Sequence, residues 1–292
     1  MTADERRAAA RALERALAGA SDVESRIHRL YLPVLEFCLD GLARAASRPR
    51  VVGLQGPQGS GKTTLARHVL SLLPDLGLTG VALSIDDFYL TRDEQLRLAD
   101  SHPGNPYLEH RGYPGTHDVD LGAATLQALK RLRAGAWARV PVYDKSAHGG
   151  RGDRAPAAAW RDVAGPLDLV IVEGWMLGFE PAPEARIADE RLVGPNRALA
   201  AYDGWHQVLD AFVVLRALDP SAVVTWRIEA EENMKAEGRP GLSRKAIEDY
   251  VRRFLPAYAL WAGRPPARFA PADTLVIEID ARRRAVGQAV AG

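Results

Sequence analysis

Cysteine is almost absent: Cys38 is the one residue of its kind among 292, so no disulfide can form within the chain. It sits in the apolar run "LPVLEFCLDGL", where a small core hydrophobe is the natural reading and a nucleophile is not. No uninterrupted apolar stretch is long enough to span a bilayer, and no leader-like apolar core follows the N-terminus. Asp4, Glu5 and Glu14 speak against a transit peptide, and the expected setting is a reducing cytoplasm with no membrane contact. Charge bias is lacking too. Lys plus Arg number 38 against 37 Asp plus Glu, so nothing in the net charge favours a nucleic-acid partner. The triplet Arg282, Arg283 and Arg284 reads as a solvated helix face. His148 and His206 have no companions at ligand spacing, which excludes an obvious zinc site. There is no internal repeat and no low-complexity tract.

What is present centres on "GLQGPQGSGKTTLARHV" at residues 53–69. An apolar run, 51–54, precedes it; Leu65, Ala66, Val69 and Leu70 follow at helical spacing. Strand, glycine-rich loop and helix, in that order, are the context that the pattern G-x-x-x-x-G-K-[ST] requires. Gly56 and Gly61 let the backbone turn tightly and aim its N–H groups inward, where they cradle phosphate oxygens at a helix N-terminus. The candidate nucleotide-binding residues are Gly56, Pro57, Gln58, Gly59, Ser60, Gly61, Lys62, Thr63 and Thr64. Lys62 is expected to reach the β- and γ-phosphates, and the Thr63 hydroxyl to bind Mg²⁺. A bare strand-to-helix turn would not need every fixed position and both flanks. This is a P-loop.

Around it the chain alternates. Residues 3–46 read as helix, with Leu13 and Leu17 on one face and a second run, 27–46, interrupted at Pro33. Strand candidates are "VVGLQ" at 51, "VALSID" at 81, "DLVIVEG" at 168, "DAFVVLRA" at 210 and "TLVIEID" at 274. Short apolar strands separated by helices imply an α/β fold whose mostly parallel sheet is covered by helices on both faces. The expected organisation is a helical extension, 1–48, and a P-loop domain, 49–292. Within that domain, 99–160 is rich in Gly, Pro, His and Arg and poor in periodicity, as a functional insertion often is. Two helices, 219–237 and 243–258, flank "GRPGLS". Trp226, Met234, Tyr250 and Phe254 have the spacing of core positions.

P-loops serve switches, machines and small-molecule kinases alike, so the other motifs decide. No N-K-x-D guanine-reading motif occurs. The strand "LVIVEG" ends in a lone Glu173 rather than the acidic pair usual in machine ATPases. A carboxylate at that strand end faces the P-loop mouth and suits Mg²⁺, held through water. The second strand ends "SIDDFYL", and a carboxylate there suits a base that takes a proton from a substrate hydroxyl. If the strand runs through both, Asp86 and Asp87 point opposite ways and only one can be the base; the other caps the next helix or binds water.

Six stretches, "GPQGSGKTT", "SIDDFYLT", "RGYPGTHD", "PVYDKSAHGGRGDR", "VIVEGWMLGF" and "MKAEGRPGLSRKAIEDYVRRFLPAY", occur in one order over residues 50–260. Together they resemble the plant-type D-glycerate 3-kinases and their bacterial and fungal relatives, grouped with uridine kinase, phosphoribulokinase and pantothenate kinase. The resemblance implies a P-loop NTPase fold with a helical lid at 219–258, and ATP-dependent phosphorylation of D-glycerate to 3-phosphoglycerate. It implies that the first carboxylate of the second-strand motif, Asp86, is the base, working beside Lys62. It also implies a lid cation over the transferring phosphoryl group, for which Arg227 and Arg239 are candidates; an exposed Arg227–Glu231 pair is the equal alternative.

For a small hydroxy acid, the insertion offers Arg111, His117, Asp118, Tyr143, Asp144, Lys145, Arg151 and Arg154. A guanidinium matches a carboxylate with two parallel hydrogen bonds, so Arg151 and Arg154 are preferred over Lys145. His117 and Asp118 could instead bond to each other in a local turn. Two other functions stay open: a kinase for another hydroxyl metabolite, such as a nucleoside or pantothenate, and an ATP-binding regulator with no acceptor.

Overall fold

The computed structural model describes residues 1–236, 247–248 and 251–289. The strands are β1 (Arg50–Gln55), β2 (Gly80–Ser84), β3 (Trp137–Val140), β4 (Tyr143–Asp144), β5 (Asp153–Arg154), β6 (Arg161–Ala164), β7 (Leu169–Gly174), β8 (Ala211–Ala217), β9 (Thr274–Ile279) and β10 (Ala285–Ala289). The principal helices are α1 (Ala3–Ala16), α2 (Leu32–Arg44), α3 (Lys62–Ser71), α4 (Arg92–Ser101), α5 (Val119–Lys130), α6 (Ala222–Ala236) and α7 (Leu255–Trp261). Six strands form one sheet in the order β10-β9-β8-β1-β7-β2. All neighbours run parallel except the edge strand β10. Every residue of β1 and β7 is buried, as expected for central strands covered on both faces. The five strands expected from apolar runs are all present.

The N-terminal helices are not a free arm. Thr2 and Glu5 close a capping box at the start of α1, and Ala9 and Leu13 join the same apolar core as the sheet. Pro33 was expected to interrupt the second helix. Instead a wider π-wound turn, Ile27–Tyr31, runs directly into α2, with Pro33 in its first turn. The missing N–H falls where the hydrogen-bond register changes, so the helix continues. The buried Arg50 guanidinium then ties three segments together. It donates to Gly41 O at 3.0 Å and to Asp273 at 2.7 Å.

The insertion is more regular than its composition suggested. It contains α5 and the antiparallel pair β4 with β5, and its β3 pairs antiparallel with β6 just past its end. Gly122 obscures the helical pattern of α5, yet a Cβ there would lie 2.4 Å from the ring of the buried Trp205. The arginine triplet is also corrected: it lies in the turn between β9 and β10, not on a helix. Among the described residues no helix is long and apolar enough to cross a membrane. Phe254 and Trp226 are buried as their spacing implied; the side chains of Met234 and Tyr250 lie outside the description.

Two opposing effects meet at Gly122. Alanine gains about 1 kcal/mol of helix propensity, whereas overpacking a filled core costs about 1–3 kcal/mol. Trp205 is pinned by a bond from its indole N–H to Val119 O at 2.6 Å, so the ring cannot retreat and the clash wins. Gly122→Ala should lower the urea midpoint by the equivalent of about 1 kcal/mol at unchanged slope. A raised midpoint would show that Trp205 moves freely.

Candidate active site

The loop between β1 and α3 has the backbone that phosphate binding needs. Gly59 and Gly61 take φ of +78° and +92°, a region that favours glycine. The Ser60 hydroxyl is buried without a hydrogen-bond partner, an orphan that a phosphate oxygen would satisfy. Lys62 is buried and folds back onto Pro57 O at 3.1 Å. Burial pushes its pKa below the usual lysine range, although Glu173 and Asp86 pull it up. Three other elements grip the same loop. The Tyr258 hydroxyl accepts from Gln58 N at 3.0 Å, and Arg283 donates to Gly59 O at 2.6 Å. Trp226 packs so closely on Gly59 that a Cβ there would meet it at 2.7 Å.

Glu173, at the end of β7, is level with Leu54 of β1 and with Ser84 of β2. The Thr63 hydroxyl donates to its Oε1 at 2.7 Å. A hydroxyl and a carboxylate are hard oxygen donors, and together they fit Mg²⁺ better than a softer metal. Among the described residues no cluster of three or more His, Cys, Asp or Glu could hold a metal by itself.

The second strand stops earlier than its pattern suggested. β2 ends at Ser84, and residues 85–88 form a 3₁₀ turn capped by the Ser84 side chain. The Asp87 carboxylate accepts from Ser84 N at 3.3 Å and so serves the turn. Asp86 is thereby presented to the crevice, 2.5 Å from the Lys145 ammonium. Burial raises the Asp86 pKa, but Lys145, His117 and a hydrogen bond from Tyr89 outweigh it and hold it below the usual carboxylate range. Asp87 moves the other way, pushed up by burial.

His117 reaches this neighbourhood because residues 116–118 pair with the chain after β2: Leu90 N donates to Thr116 O at 3.0 Å, and Asp118 N to Phe88 O at 2.8 Å. Its ring stacks on Tyr89 with centroids 4.4 Å apart. Nδ1 contacts the Tyr202 hydroxyl at 2.8 Å. That hydroxyl also accepts from Gly115 N at 3.1 Å. Nε2 is buried without a partner. His117 and Asp118 do not bond to each other as a local turn. Asp118 instead caps α5 through Leu121 N at 3.0 Å.

Of the two arginines preferred for a carboxylate, Arg154 is already committed, whereas Arg151 is exposed and meets an imidazole. Arg154 pairs with Asp118 at 3.0 Å and donates to Tyr89 O at 3.0 Å, with 12% of its side chain exposed. Arg111 donates to the carbonyls of Gly150, Arg151 and Lys145 and lies over the Tyr143 ring. Arg151 rests against the His110 imidazole at 2.9 Å. Tyr143 is buried, and Asp144 accepts from Ser146 N at 2.8 Å. Sequence spacing could not reveal these partners, which lie up to 65 residues away. Arg227 follows Trp226 on α6, beside the loop. Arg239 and the Glu231 side chain lie outside the described residues. Sequence reasoning overlooked Tyr258, Arg283 and Tyr202.

No family model matches the chain. It is 39% identical over 279 residues to a chloroplastic D-glycerate 3-kinase of Arabidopsis thaliana, covering 90% of this chain and 61% of that protein's length. An uncharacterized kinase of Schizosaccharomyces pombe is 36% identical over 79% of this chain and 87% of its own. The solved structure of a D-glycerate 3-kinase from Cryptococcus neoformans superposes with a TM-score of 0.80 at 32% identity, over 89% of this chain and 99% of that one.

Two buried histidines make stability depend on pH. Burial lowers His117 and His206 to about 4, whereas an unfolded histidine protonates near 6.5. Between those values the unfolded chain binds more protons, so stability falls as the pH drops from 6.5 towards 4, by up to about 3 kcal/mol per residue. His206 Nε2 accepts from Gly178 N at 3.1 Å, a bond that a glutamine oxygen can replace. His206→Gln should flatten the decline, as read from denaturation midpoints at stepped pH; an equally steep decline would assign it to other groups.

Proposed function

Because the chain belongs to the D-glycerate 3-kinase family, we propose that it transfers the γ-phosphoryl group of ATP to D-glycerate, giving 3-phospho-D-glycerate. The observation that carries this reading is the pairing of Asp86 with Lys145 at 2.5 Å beside the P-loop mouth. One crevice thus offers a base for a hydroxyl and a cation for a carboxylate. A nucleoside acceptor would gain nothing from that cation.

The roles follow from position. The loop from Gly56 to Thr64 cradles the triphosphate, with Lys62 swinging from Pro57 O onto it and Ser60 gaining its missing partner. Thr63 and Glu173 hold Mg²⁺, which supplies positive charge against the phosphate oxygens. Asp86 receives the hydroxyl proton as the acceptor oxygen bonds to phosphorus and the bond to the β-bridging oxygen breaks. Arg227, carried on α6 against Gly59, covers the transferring group. Residues 49–292 carry the chemistry, and 1–48 buttress the sheet through Arg50. The same proposal sets the reaction in the cytoplasm, where the buried Cys38 thiol needs no partner.

Steady-state assays on D-glycerate test the assignment. Asp86→Asn should lower kcat by roughly 10²–10⁴ with the KM for ATP nearly unchanged, while Asp87→Asn should cost far less and act through the turn. A reversed ranking would move the base to Asp87. Thr63→Ala and Glu173→Gln should each raise the Mg²⁺ concentration needed for half-maximal rate; a metal optimum unmoved in both would take these side chains out of the metal site. If ADP release is driven by a nucleoside or pantothenate and not by D-glycerate, the acceptor is wrong and the reaction class stands.

A further inference from the structure

The Asp86–Lys145 pair raises a difficulty for the reaction. A base whose carboxylate is held by an ammonium at 2.5 Å is badly placed to receive a proton. We propose that Lys145 is an acceptor-operated latch: it holds Asp86 while the acceptor site is vacant, and the carboxylate of an anionic acceptor draws it away and frees the base. This inference rests on the proposed phosphoryl transfer and gives that site its selectivity.

Three observations support it. The first is elimination among the cations of the insertion. Arg154 is bound by Asp118 and Tyr89 O, Arg111 by three backbone carbonyls, and Arg151 rests on His110. Lys145 is 59% exposed, and among the described residues its ion-pair partner is Asp86. Arg151 is exposed too, but Lys145 is the cation of this group that touches the base, and it can change partners without breaking the fold.

The second is mechanical. The Lys145 backbone is fixed, because its carbonyl accepts from Arg111 and the next residue is tied to Asp144 through Ser146 N and Oγ. Its four-carbon stem can still swing from that anchored point. The third is charge balance. Asp86 faces Lys145, the neutral His117, the Tyr89 hydroxyl, the neighbouring Asp87 and the ammonium of Lys62. When Lys145 leaves, the Tyr89 bond and Lys62 remain to keep the carboxylate charged. The ammonium meanwhile exchanges one carboxylate for another, so neither charge is stranded. A neutral alcohol offers no such exchange and leaves the latch shut.

Selectivity between D-glycerate and glycerol tests the carboxylate half. Wild type should favour glycerate by a hundredfold or more in kcat/KM. Lys145→Met should lose tenfold to hundredfold on glycerate, the size of one charge-assisted hydrogen bond. On glycerol the same variant should gain several-fold, and Lys145→Arg should recover part of the glycerate rate. Equal losses on both acceptors would overturn the latch and assign Lys145 to the phosphates or the fold. Slow ATP hydrolysis, with water as acceptor and its proton passing to Asp86, tests the other half without any assumption about glycerate. Propionate, a carboxylate with no hydroxyl, should raise hydrolysis several-fold in wild type. In Lys145→Met hydrolysis should start high and ignore propionate, and in Asp86→Asn it should stay low throughout. No rise in either wild type with propionate or Lys145→Met without it would refute the latch, even if glycerate proved to be the acceptor. A rise in both, with glycerate inert, would keep the latch and reject glycerate.

Discussion

The register of β7 between β1 and β2 is the constraint on which the site depends. Glu173 is paired with Leu54 on one side and Ser84 on the other. That alignment sets its carboxylate beside Thr63, at the mouth of the loop after β1, and level with the turn that presents Asp86. In a parallel sheet buried on both faces, a slip of one residue would turn Glu173 to the opposite face, away from Thr63, and mismatch the packing of its apolar neighbours. The energy that fixes the register comes from Val170, Ile171 and Val172, all buried. Hydrophobic packing along the strand therefore holds a polar site at its end.

The insertion obeys a different logic. It shares the sheet's apolar core through Tyr107, Tyr113, Leu126, Leu129, Leu132 and Val140, but its loops are fixed by polar bonds: residues 116–118 pair with 88–90, Arg154 bridges Asp118 and Tyr89 O, and Arg92 N donates to Asp153 at 2.8 Å. Arginine suits this work because its planar fork can join several acceptors at once. The same fork that would bind a substrate carboxylate is consumed in building the wall of the pocket. Among the described residues, the exposed ammonium of Lys145 is left standing beside Asp86.

The sequence analysis reached the sheet and the P-loop because both are written in local pattern: an apolar run, glycines at fixed positions, then helical spacing. It missed what depends on partners distant in sequence. The period-two signal in "VALSID" continues past Ser84, but the Ser84 hydroxyl caps a turn and ends the strand. The helix at 119–130 was hidden by Gly122, which is required by the Trp205 ring pressing on it. β10 is short and exposed at Val286, so it carries little apolar signal. Choosing Asp86 over Asp87 rested on resemblance; the capping bond from Ser84 N to Asp87 now gives that choice a physical reason. The preference for arginine over Lys145 followed a sound rule about geometry but could not foresee that the Arg154 fork is taken by Asp118 and Tyr89 O.

Gly59 shows how the P-loop and α6 are coupled. Its carbonyl accepts from Arg283, which also pairs with Glu229 of α6 at 2.6 Å and lies over the Trp226 ring at 5.3 Å. The Trp226 indole in turn donates to Ala281 O at 2.7 Å. The terminal hairpin, the base of α6 and the P-loop thus share one set of contacts at a residue with no side chain to spare. Rotation of the whole of α6 would break the Arg283 bonds and drag Gly59 with it. The P-loop and the base of α6 are consequently held as one unit.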